Sequence, residues 1–325
     1  MNQPVPVSEL APELEYLQEH DFEALQLRRT LEKSWTPLPD KPEESPELAF
    51  RALWMTARGQ PHSAQLAAHA VLGTLDRDEA ARLRVLVKKK ASGVPLAHLT
   101  ERQHFMGLEL RTGPQAMIPR QETELLGRAA LSKLRSLVRE RGEVRVLDLC
   151  TGCGNLAVAC AHYEPSARLH ASDLSRDAVR LARRNCEVTG VEGRVEILQG
   201  DLFEPFERPE YMAKFDLVIC NPPYISSAKV IQMHPEISGF EPELAFDGGA
   251  YGVSVIMKLM RHSPRFLKPG SWLGFEVGFG QGPALARQMQ RNPDYTEVET
   301  VCDEQDAIRV LFARTAPGQS DAEGR

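Results

Sequence analysis

From Val144 to Ala313, short apolar runs alternate with stretches of helical spacing, and this alternation restricts the fold more than any other feature of the sequence. The runs have the length and residue types of buried strands. Strands that alternate with helices build parallel sheets covered on both faces. The C-terminal part is therefore predicted to be a doubly wound α/β sheet. The predicted strands are 144–149, 168–172, 194–199, 215–220, 272–277, 297–302 and 308–313, and the predicted helices are 122–137, 155–163, 175–190, 252–267 and 282–290.

The first 90 residues have helical spacing and no strand pattern. Apolar residues recur at this spacing over 7–35 and 46–90, and the proline-rich stretch between them cannot continue a helix. Asp76 and Glu79 have the spacing of a capping box at a helix start. Residues 1–90 are thus predicted to form a small helical domain.

A hairpin linker is predicted over 91–118, between the helical domain and the α/β domain. Its strand pieces are placed at 105–110 and 116–118, on either side of Thr112-Gly113-Pro114. The α/β domain is predicted to span 119–316, and the small, polar residues 317–325 are predicted to be a disordered tail.

Composition and charge narrow the class of protein. The chain has 325 residues, a net charge of −6, and no apolar run long enough to span a membrane. Because residues 1–10 also lack the pattern of a signal peptide, we expect a cytoplasmic protein without a membrane partner. The net negative charge argues against a general nucleic-acid binder. The one run of basic residues, Lys88-Lys89-Lys90, is interpreted as a solvated helix end and not as a binding patch.

The cysteine pattern does not predict a disulfide framework or a metal site. The chain has six cysteines and no secretory signal, which disfavours disulfides. Cys150 and Cys153 have the spacing of a redox or zinc pair. No second pair stands at zinc spacing, so no metal is predicted.

A glycine turn after the first predicted strand indicates a ligand site. Gly152 and Gly154 would let the backbone approach a ligand closely. Asp173 ends the next strand, where a carboxylate can accept hydrogen bonds from ribose hydroxyls. Asp201 follows the third strand, where its carboxylate could face an adenine amino group. Together with Asp148, these acids at one edge of the sheet predict an adenosine site.

The loop after the fourth strand, Asn221-Pro222-Pro223-Tyr224, indicates the chemistry. It resembles the motif of S-adenosylmethionine-dependent methyltransferases that act on planar nitrogen. An amide nitrogen is a poor nucleophile because its lone pair is delocalised. The Asn221 side-chain oxygen and the Pro222 carbonyl can accept hydrogen bonds from one NH₂ group and favour its electron-rich form in the transition state. Tyr224 supplies a flat face for a planar group.

The whole set of motifs resembles the HemK/PrmC family of release factor glutamine N5-methyltransferases, over about residues 95–315. The motifs that carry the resemblance are Phe105-Met106-Gly107-Leu108, Ile118 to Glu124, Asp148 to Gly154, Asn221 to Ile225, Glu241-Pro242 with Gly248-Gly249, and Phe275 to Gly278 with Gln281.

The resemblance implies a Rossmann-like class I methyltransferase sheet and methylation of a protein glutamine amide in the cytoplasm, in the Gly-Gly-Gln motif of peptide chain release factors. S-adenosyl-L-methionine would be the cofactor, S-adenosyl-L-homocysteine its product, and the helical domain would help to hold the protein. The implied cofactor residues are Cys150, Thr151, Gly152, Cys153, Gly154, Asp173, Asp201, Leu202 and Asn221. The implied catalytic residues are Asn221, Pro222 and Tyr224, and the implied substrate residues are Asn221, Pro222, Pro223, Tyr224, Phe105 and Arg120.

Other substrates stay open at this point. The chain could methylate a ribosomal-protein glutamine, or a small amide or acid. An adenine-N6 nucleic-acid methyltransferase uses a similar loop, but it needs a basic cleft and a platform for the flipped base. The region 201–306 is acid-rich, so no stable nucleic-acid partner is expected. The intact Asn221–Tyr224 loop disfavours an inactive binding module.

Overall fold

The computed structural model describes residues 22–41 and 43–317. They divide into two compact units. The first unit reaches to Pro114 and also takes in His234–Phe240, and the second comprises Gln115–Met233 and the chain from Glu241 onward. The start of the predicted N-terminal helix and nearly all of the predicted tail lie outside the described residues. No described helix is long and apolar enough to cross a membrane.

The first unit is mainly helical. Its elements are helices α1 (Phe22–Ser34), α2 (Pro46–Ala57), α3 (Ala64–Ala67), α4 (Arg77–Ala91) and α5 (Leu96–Thr100), followed by strands β1 (Arg102–Phe105) and β2 (Leu108–Arg111). The capping box at the start of α4 is confirmed. The Asp76 carboxylate accepts a hydrogen bond from Glu79 N at 2.8 Å, and the Glu79 carboxylate accepts one from Asp76 N at 2.8 Å.

The hairpin of the first unit turns earlier in the chain than predicted. β1 and β2 pair antiparallel with Phe105 opposite Leu108, so the turn is Met106-Gly107. Both turn residues have positive φ, as a type I′ hairpin turn requires. Residues 116–118 form no strand. The composition of Thr112-Gly113-Pro114 suggested a turn there, but that stretch follows the hairpin instead of closing it.

The second unit begins with helix α6 (Thr123–Arg141) and then alternates strands with helices. Its next elements are β3 (Val144–Leu149), α7 (Asn155–Tyr163), β4 (Ala167–Asp173), α8 (Arg176–Thr189), β5 (Val195–Gln199), β6 (Phe215–Cys220) and α9 (Ser227–Val230). Helix α10 (Pro235–Ser238) belongs to the first unit. The second unit continues with α11 (Ser254–His262), β7 (Leu267–Glu276), α12 (Gly282–Gln290), β8 (Tyr295–Cys302) and β9 (Ile308–Thr315).

Seven strands form one sheet in the order β5-β4-β3-β6-β7-β9-β8. The pairs from β5 to β7 are parallel, and β9 runs antiparallel to both of its neighbours. The predicted α/β class is confirmed. From β3 the chain passes outward to β4 and β5, and then it returns to the other side of β3 with β6. Open α/β sheets bind ligands at the carboxyl ends of strands where the order reverses in this way.

A buried ion cluster holds His234–Phe240 in the first unit. The Glu236 carboxylate accepts hydrogen bonds from Lys90 Nζ at 2.8 Å and from Trp35 Nε1 at 3.2 Å. Lys41 Nζ lies 3.7 Å from the same carboxylate. Lys90 is 0% exposed, so the interpretation of 88–90 as a solvated helix end is wrong for Lys90. Its partner lies 146 residues further along the chain, where no local pattern could indicate it.

Candidate active site

The glycine turn that follows β3 depends on residues with left-handed backbone. Cys150, Gly152 and Gly154 have φ of 55°, 57° and 83°. Gly154 N donates to Thr151 O at 2.8 Å and closes the turn. A β-carbon on Gly154 would lie 3.0 Å from Ala182 Cβ on α8, whereas one on Gly152 would meet nothing within 4 Å. Gly154 therefore allows close helix packing, and Gly152 leaves the turn open on one side.

Asp148 lies buried beneath this turn. Its Oδ2 accepts hydrogen bonds from Thr151 Oγ1 at 2.6 Å and from Ala157 N at 3.2 Å. Its Oδ1 is buried and has no hydrogen-bond partner in the part of the chain that the structure describes. Burial raises the pKa of Asp148 to about 7, although both hydrogen bonds act in the opposite direction. The turn thus covers an acceptor oxygen that a ligand with an N–H or O–H group could satisfy.

Asp173 ends β4 beside the glycine turn. Its carboxylate accepts hydrogen bonds from Gly152 N at 2.9 Å and from Ser175 N at 2.8 Å. Burial raises the pKa of Asp173, and the two backbone donors oppose that shift. An ionised carboxylate has about four lone-pair positions, so it can accept further hydrogen bonds from ribose hydroxyls.

Asp201 and Leu202 follow β5 and differ in what they can offer a ligand. The Asp201 side chain is exposed, and Lys258 Nζ lies 3.3 Å from its Oδ2. The Leu202 side chain packs into the hydrophobic core, while its carbonyl accepts a hydrogen bond from Ser172 Oγ at 2.7 Å. Leu202 is therefore held by a polar contact at its backbone, whereas its side chain contributes packing alone. Contact of either residue with a cofactor stays a prediction.

The two cysteines of the turn are free thiols. Burial raises the pKa of Cys153 to about 12, so this thiol stays protonated at neutral pH. The Cys153 carbonyl accepts a hydrogen bond from Asn185 Nδ2 at 2.8 Å, and that buried asparagine on α8 helps to fix the turn. Within 22–41 and 43–317, no group of His, Cys, Asp and Glu side chains could hold a metal ion. The turn has the backbone geometry of a ligand loop, and a buried, protonated thiol such as Cys153 is a poor nucleophile for redox chemistry.

The Asn221–Tyr224 loop leaves the sheet next to the glycine turn. Leu149 and Cys220 are register partners in β3 and β6, so Cys150 and Asn221 follow neighbouring strand ends. Asn221 Nδ2 donates a hydrogen bond to Thr123 Oγ1 at 3.0 Å, at the start of α6. This contact orients the side-chain amide and gives Oδ1 the role of acceptor on its other side. Pro222 is buried, whereas Pro223 is half-buried.

Tyr224 is held at both its ring and its backbone. Its hydroxyl donates to Glu276 Oε1 at 3.0 Å, and its carbonyl accepts a hydrogen bond from Gln281 Nε2 at 3.0 Å. Burial and the nearby Glu276 carboxylate raise the pKa of Tyr224 well above its usual value. Gln281 also binds Gly252 O at 3.2 Å and accepts from Gly278 N at 2.9 Å, so one amide joins three backbone segments.

Sequence reasoning did not assign Thr123, Glu276 and Gln281 to the site. They appeared only as parts of the motifs that carry the family resemblance. Each lies far from Asn221–Tyr224 in the chain, and only the sheet topology brings them to this loop. The signal that could have found Glu276 is a charged residue at the end of an otherwise apolar strand, since buried carboxylates are rare.

Arg120 and Phe105 are both buried. The Arg120 guanidinium donates to Glu241 Oε1 at 2.6 Å and to Ile118 O at 2.8 Å, and Glu241 Oε2 accepts from Ile118 N at 2.8 Å. This bidentate use of Glu241 gives Arg120 a structural role in the second unit. Phe105 ends β1 in the first unit. Direct contact of either residue with substrate stays a prediction.

Comparison with known proteins agrees with this geometry. The model of the methyltransferase small domain family matches residues 128–236. The catalytic domain of hMettl16, solved in complex with MAT2A 3′UTR hairpin 6, has a TM-score of 0.50 at 14% identity. The match covers 71% of this chain and 84% of that domain. At this identity the likeness concerns the fold alone.

Curated relatives carry the closer likeness. The release factor glutamine methyltransferase of Geobacter sulfurreducens is 34% identical over 240 residues, which cover 74% of this chain and 80% of the relative. That of Rhodopirellula baltica is 30% identical over 280 residues, which cover 85% of this chain and 92% of the relative. That of Streptomyces coelicolor is 38% identical, with 64% and 71% covered. This chain is a methyltransferase and belongs to the release factor glutamine methyltransferase family.

Proposed function

We propose that the protein methylates the side-chain amide nitrogen of a glutamine in a peptide chain release factor, with S-adenosylmethionine as methyl donor. The observation that carries the proposal is the Asn221–Tyr224 loop, fixed by hydrogen bonds at the strand end next to the glycine turn. Its family relatives bear the name of this reaction.

The residues present fit an adenosine-type cofactor. The buried Asp148 Oδ1 without a described hydrogen-bond partner, the open side of Gly152, and the Asp173 carboxylate at the next strand end are three polar or steric features that such a ligand would use. S-adenosylmethionine, when bound, supplies a methyl group that its sulfonium charge has already activated. Isothermal titration of the protein with S-adenosylmethionine tests this assignment directly.

The amide chemistry follows from what Asn221 and Pro222 can accept. A glutamine NH₂ group has two donors, and the Asn221 Oδ1 and the Pro222 carbonyl are two acceptors on one rigid loop. Hydrogen bonds to both N–H groups hold the nitrogen in one orientation and draw its lone pair away from the carbonyl. Because the nucleophile needs orientation more than deprotonation, no strong general base is required.

A protein substrate is favoured over nucleic acid by charge. The chain carries a net charge of −6, and the segment that includes the Asn221–Tyr224 loop is rich in acids. We propose that the helical first unit binds the release factor. A short peptide lacks the surface needed for this contact. A Gly-Gly-Gln peptide should then have a higher KM than the intact release factor at similar kcat.

The test of the proposed function is transfer of labelled methyl groups to a panel of acceptors. The panel contains a release factor, ribosomal proteins, free glutamine and DNA. We expect label in the release factor alone. Label in a ribosomal protein or a small amide, with none in the release factor, would favour the related substrates considered from the sequence. Label in DNA would overturn the choice of protein.

A further inference from the structure

Two aromatic side chains of the second unit, Tyr251 and Phe279, are exposed to solvent. Tyr251 is 86% exposed and Phe279 is 75% exposed, whereas every other Phe, Tyr and Trp among the described side chains is buried or half-buried. A single exposed apolar side chain is ordinary on a protein surface. Aromatic rings are concentrated where proteins bind one another, so the location of these two rings decides what they can do.

The backbone beside each ring is fixed by the same side chain, that of Gln281. Tyr251 precedes Gly252, whose carbonyl accepts a hydrogen bond from Gln281 Nε2 at 3.2 Å. Phe279 follows Gly278, whose N–H donates to Gln281 Oε1 at 2.9 Å. The two rings are 28 positions apart in the chain, yet one amide group holds both of their segments. They therefore stand close to each other in the fold.

Both segments also lie against Tyr224. Gln281 Nε2 donates to the Tyr224 carbonyl at 3.0 Å. A β-carbon on Gly252 would collide with that carbonyl, and one on Gly278 would lie 3.0 Å from Tyr224 Cδ2. The two exposed rings thus belong to the rim of the Asn221–Tyr224 loop. Backbone contacts and Gln281 set this arrangement, so the exposed rings can be truncated without moving the loop.

A protein glutamine bound at this loop would bring its own main chain to the same rim. Its amide nitrogen would lie at the Asn221 side chain and the Pro222 carbonyl, and its main chain would follow one side-chain length further out. Peptide groups are planar, and aromatic rings offer flat faces on which planar groups can stack. Tyr and Phe also have few rotatable bonds, so little entropy is lost when they are ordered. Free glutamine has no chain on either side to make this contact.

We propose that Tyr251 and Phe279 bind the main chain that flanks the target glutamine, so that the site accepts a glutamine within a polypeptide in preference to free glutamine or a small amide. The inference rests on the proposed function and names the feature of the substrate that the rim recognises. The two rings determine specificity and take no part in the chemistry. Because the flanking chain is bound equally in the ground state and the transition state, the contact lowers KM and leaves kcat unchanged.

The kinetic test uses the full-length protein with a Gly-Gly-Gln peptide of a release factor as acceptor. Tyr251→Ala and Phe279→Ala should each raise KM about 10-fold at similar kcat, the usual loss when an aromatic anchor of an interface is truncated. Tyr251→Phe and Phe279→Tyr keep the ring and should keep KM near the wild-type value. Val188→Ala shortens a side chain on α8 that is 52% exposed, and this matched control should leave KM unchanged.

A second readout measures binding without methyl transfer. Fluorescence anisotropy of the labelled peptide, with the protein saturated by S-adenosylhomocysteine, should give a Kd raised in both alanine variants and unchanged in Val188→Ala. Unchanged KM and Kd in both alanine variants would overturn the proposal. A loss of kcat at constant KM would also overturn it, since the rings would then act through the position of Tyr224. Wild-type protein that binds the peptide through these rings but methylates no glutamine would refute the proposed function alone.

Discussion

At the scale of single residues, Asn221 carries the largest expected effect. Asn221→Ala should lower kcat by about 10²–10³, the usual loss for one preorganised transition-state contact. KM for the release factor should change less, because the contact strengthens in the transition state. Single-turnover methyl transfer measures the effect. Asn221→Asp keeps the acceptor but adds a charge and cannot donate to Thr123, so we expect partial activity at best. An Asn221→Ala variant with near-normal kcat would remove the loop from the mechanism.

The pH dependence of the rate should depend on Glu276. Burial raises the pKa of Glu276 to about 7. The ionised carboxylate that accepts the hydrogen bond from Tyr224 is therefore lost as the pH falls below that value. We expect kcat, measured with saturating S-adenosylmethionine to exclude the effect of Asp148 on binding, to rise with pH and level off above about 7. Glu276→Gln should be slow throughout and lack this inflection. The same inflection in both proteins would assign the titration to another group.

As the pH rises, the contribution of Glu276 to the free energy of unfolding should fall while the methylation rate rises. A carboxyl whose pKa is raised from 4.5 to about 7 on folding favours the folded state at low pH, and this contribution disappears between pH 4.5 and 7. The ionised carboxylate therefore costs up to about 3 kcal/mol above pH 7. Urea unfolding should find Glu276→Gln more stable than the wild type at pH 8 and similar to it at pH 4.

At the scale of elements, the loops around Asn221–Tyr224 pack closely because glycines stand where a β-carbon would collide with the neighbouring backbone. A β-carbon on Gly252 would lie 2.3 Å from Tyr224 O, and φ at Gly252 is +69°. Gly190 has the same φ, yet a β-carbon there would meet nothing within 4 Å. Gly190→Ala should therefore cost only the backbone strain of about 1–2 kcal/mol.

Gly252→Ala should cost that strain and also displace Tyr224. We expect it to lower kcat clearly, while Gly190→Ala leaves kcat unchanged. Unfolding free energies and methyl-transfer rates of both variants provide the comparison. Equal rates in the two variants would mean that the contact with Tyr224 O does not position the loop.

The strands and helices that alternate in the second unit could be predicted because their signals are local. β3, β6, α7 and α12 have the bounds read from the sequence. The predicted helix 252–267 was too long, because Pro264 lies in a separate turn of 3₁₀-helix after α11. β7 begins at Leu267, five residues before the predicted start. The prediction began too late because the polar and turn-type residues at the start of β7 resemble a loop.

The placement of the candidate site residues could be predicted from local signals in the same way. The glycine turn, Asp173 and Asn221–Tyr224 follow strands directly, so their placement at one sheet edge follows from the alternation. Thr123 and Glu276 enter through hydrogen bonds across the fold. Those contacts depend on which strands become neighbours, and the strand order is not a local property of the sequence.

At the scale of the whole molecule, the first unit is completed by a segment far along the chain. Glu236 is buried against Lys90 and Lys41, so its removal leaves buried ammonium groups with less compensation. We expect Glu236→Ala to lower the unfolding free energy by about 3–5 kcal/mol, the cost of removing one partner from a buried pair.

The control for this variant is Glu32→Ala. Glu32 pairs with Arg28 on the exposed side of α1, and such pairs contribute about 0–1 kcal/mol. Denaturant unfolding of both variants provides the comparison. A Glu236→Ala protein as stable as Glu32→Ala would mean that the ion cluster does not hold α10 in the first unit.

The Asn221–Tyr224 loop is proposed to hold the amide of a protein glutamine for methylation. The most direct test of this proposal is peptide mass spectrometry of a release factor after incubation with the enzyme and S-adenosylmethionine, with Asn221→Ala run in parallel. We predict a single methyl group on the side-chain nitrogen of one glutamine, present with the wild-type enzyme and nearly absent with the variant. A methyl group on a carboxylate or a lysine, or equal methylation by both enzymes, would contradict the account.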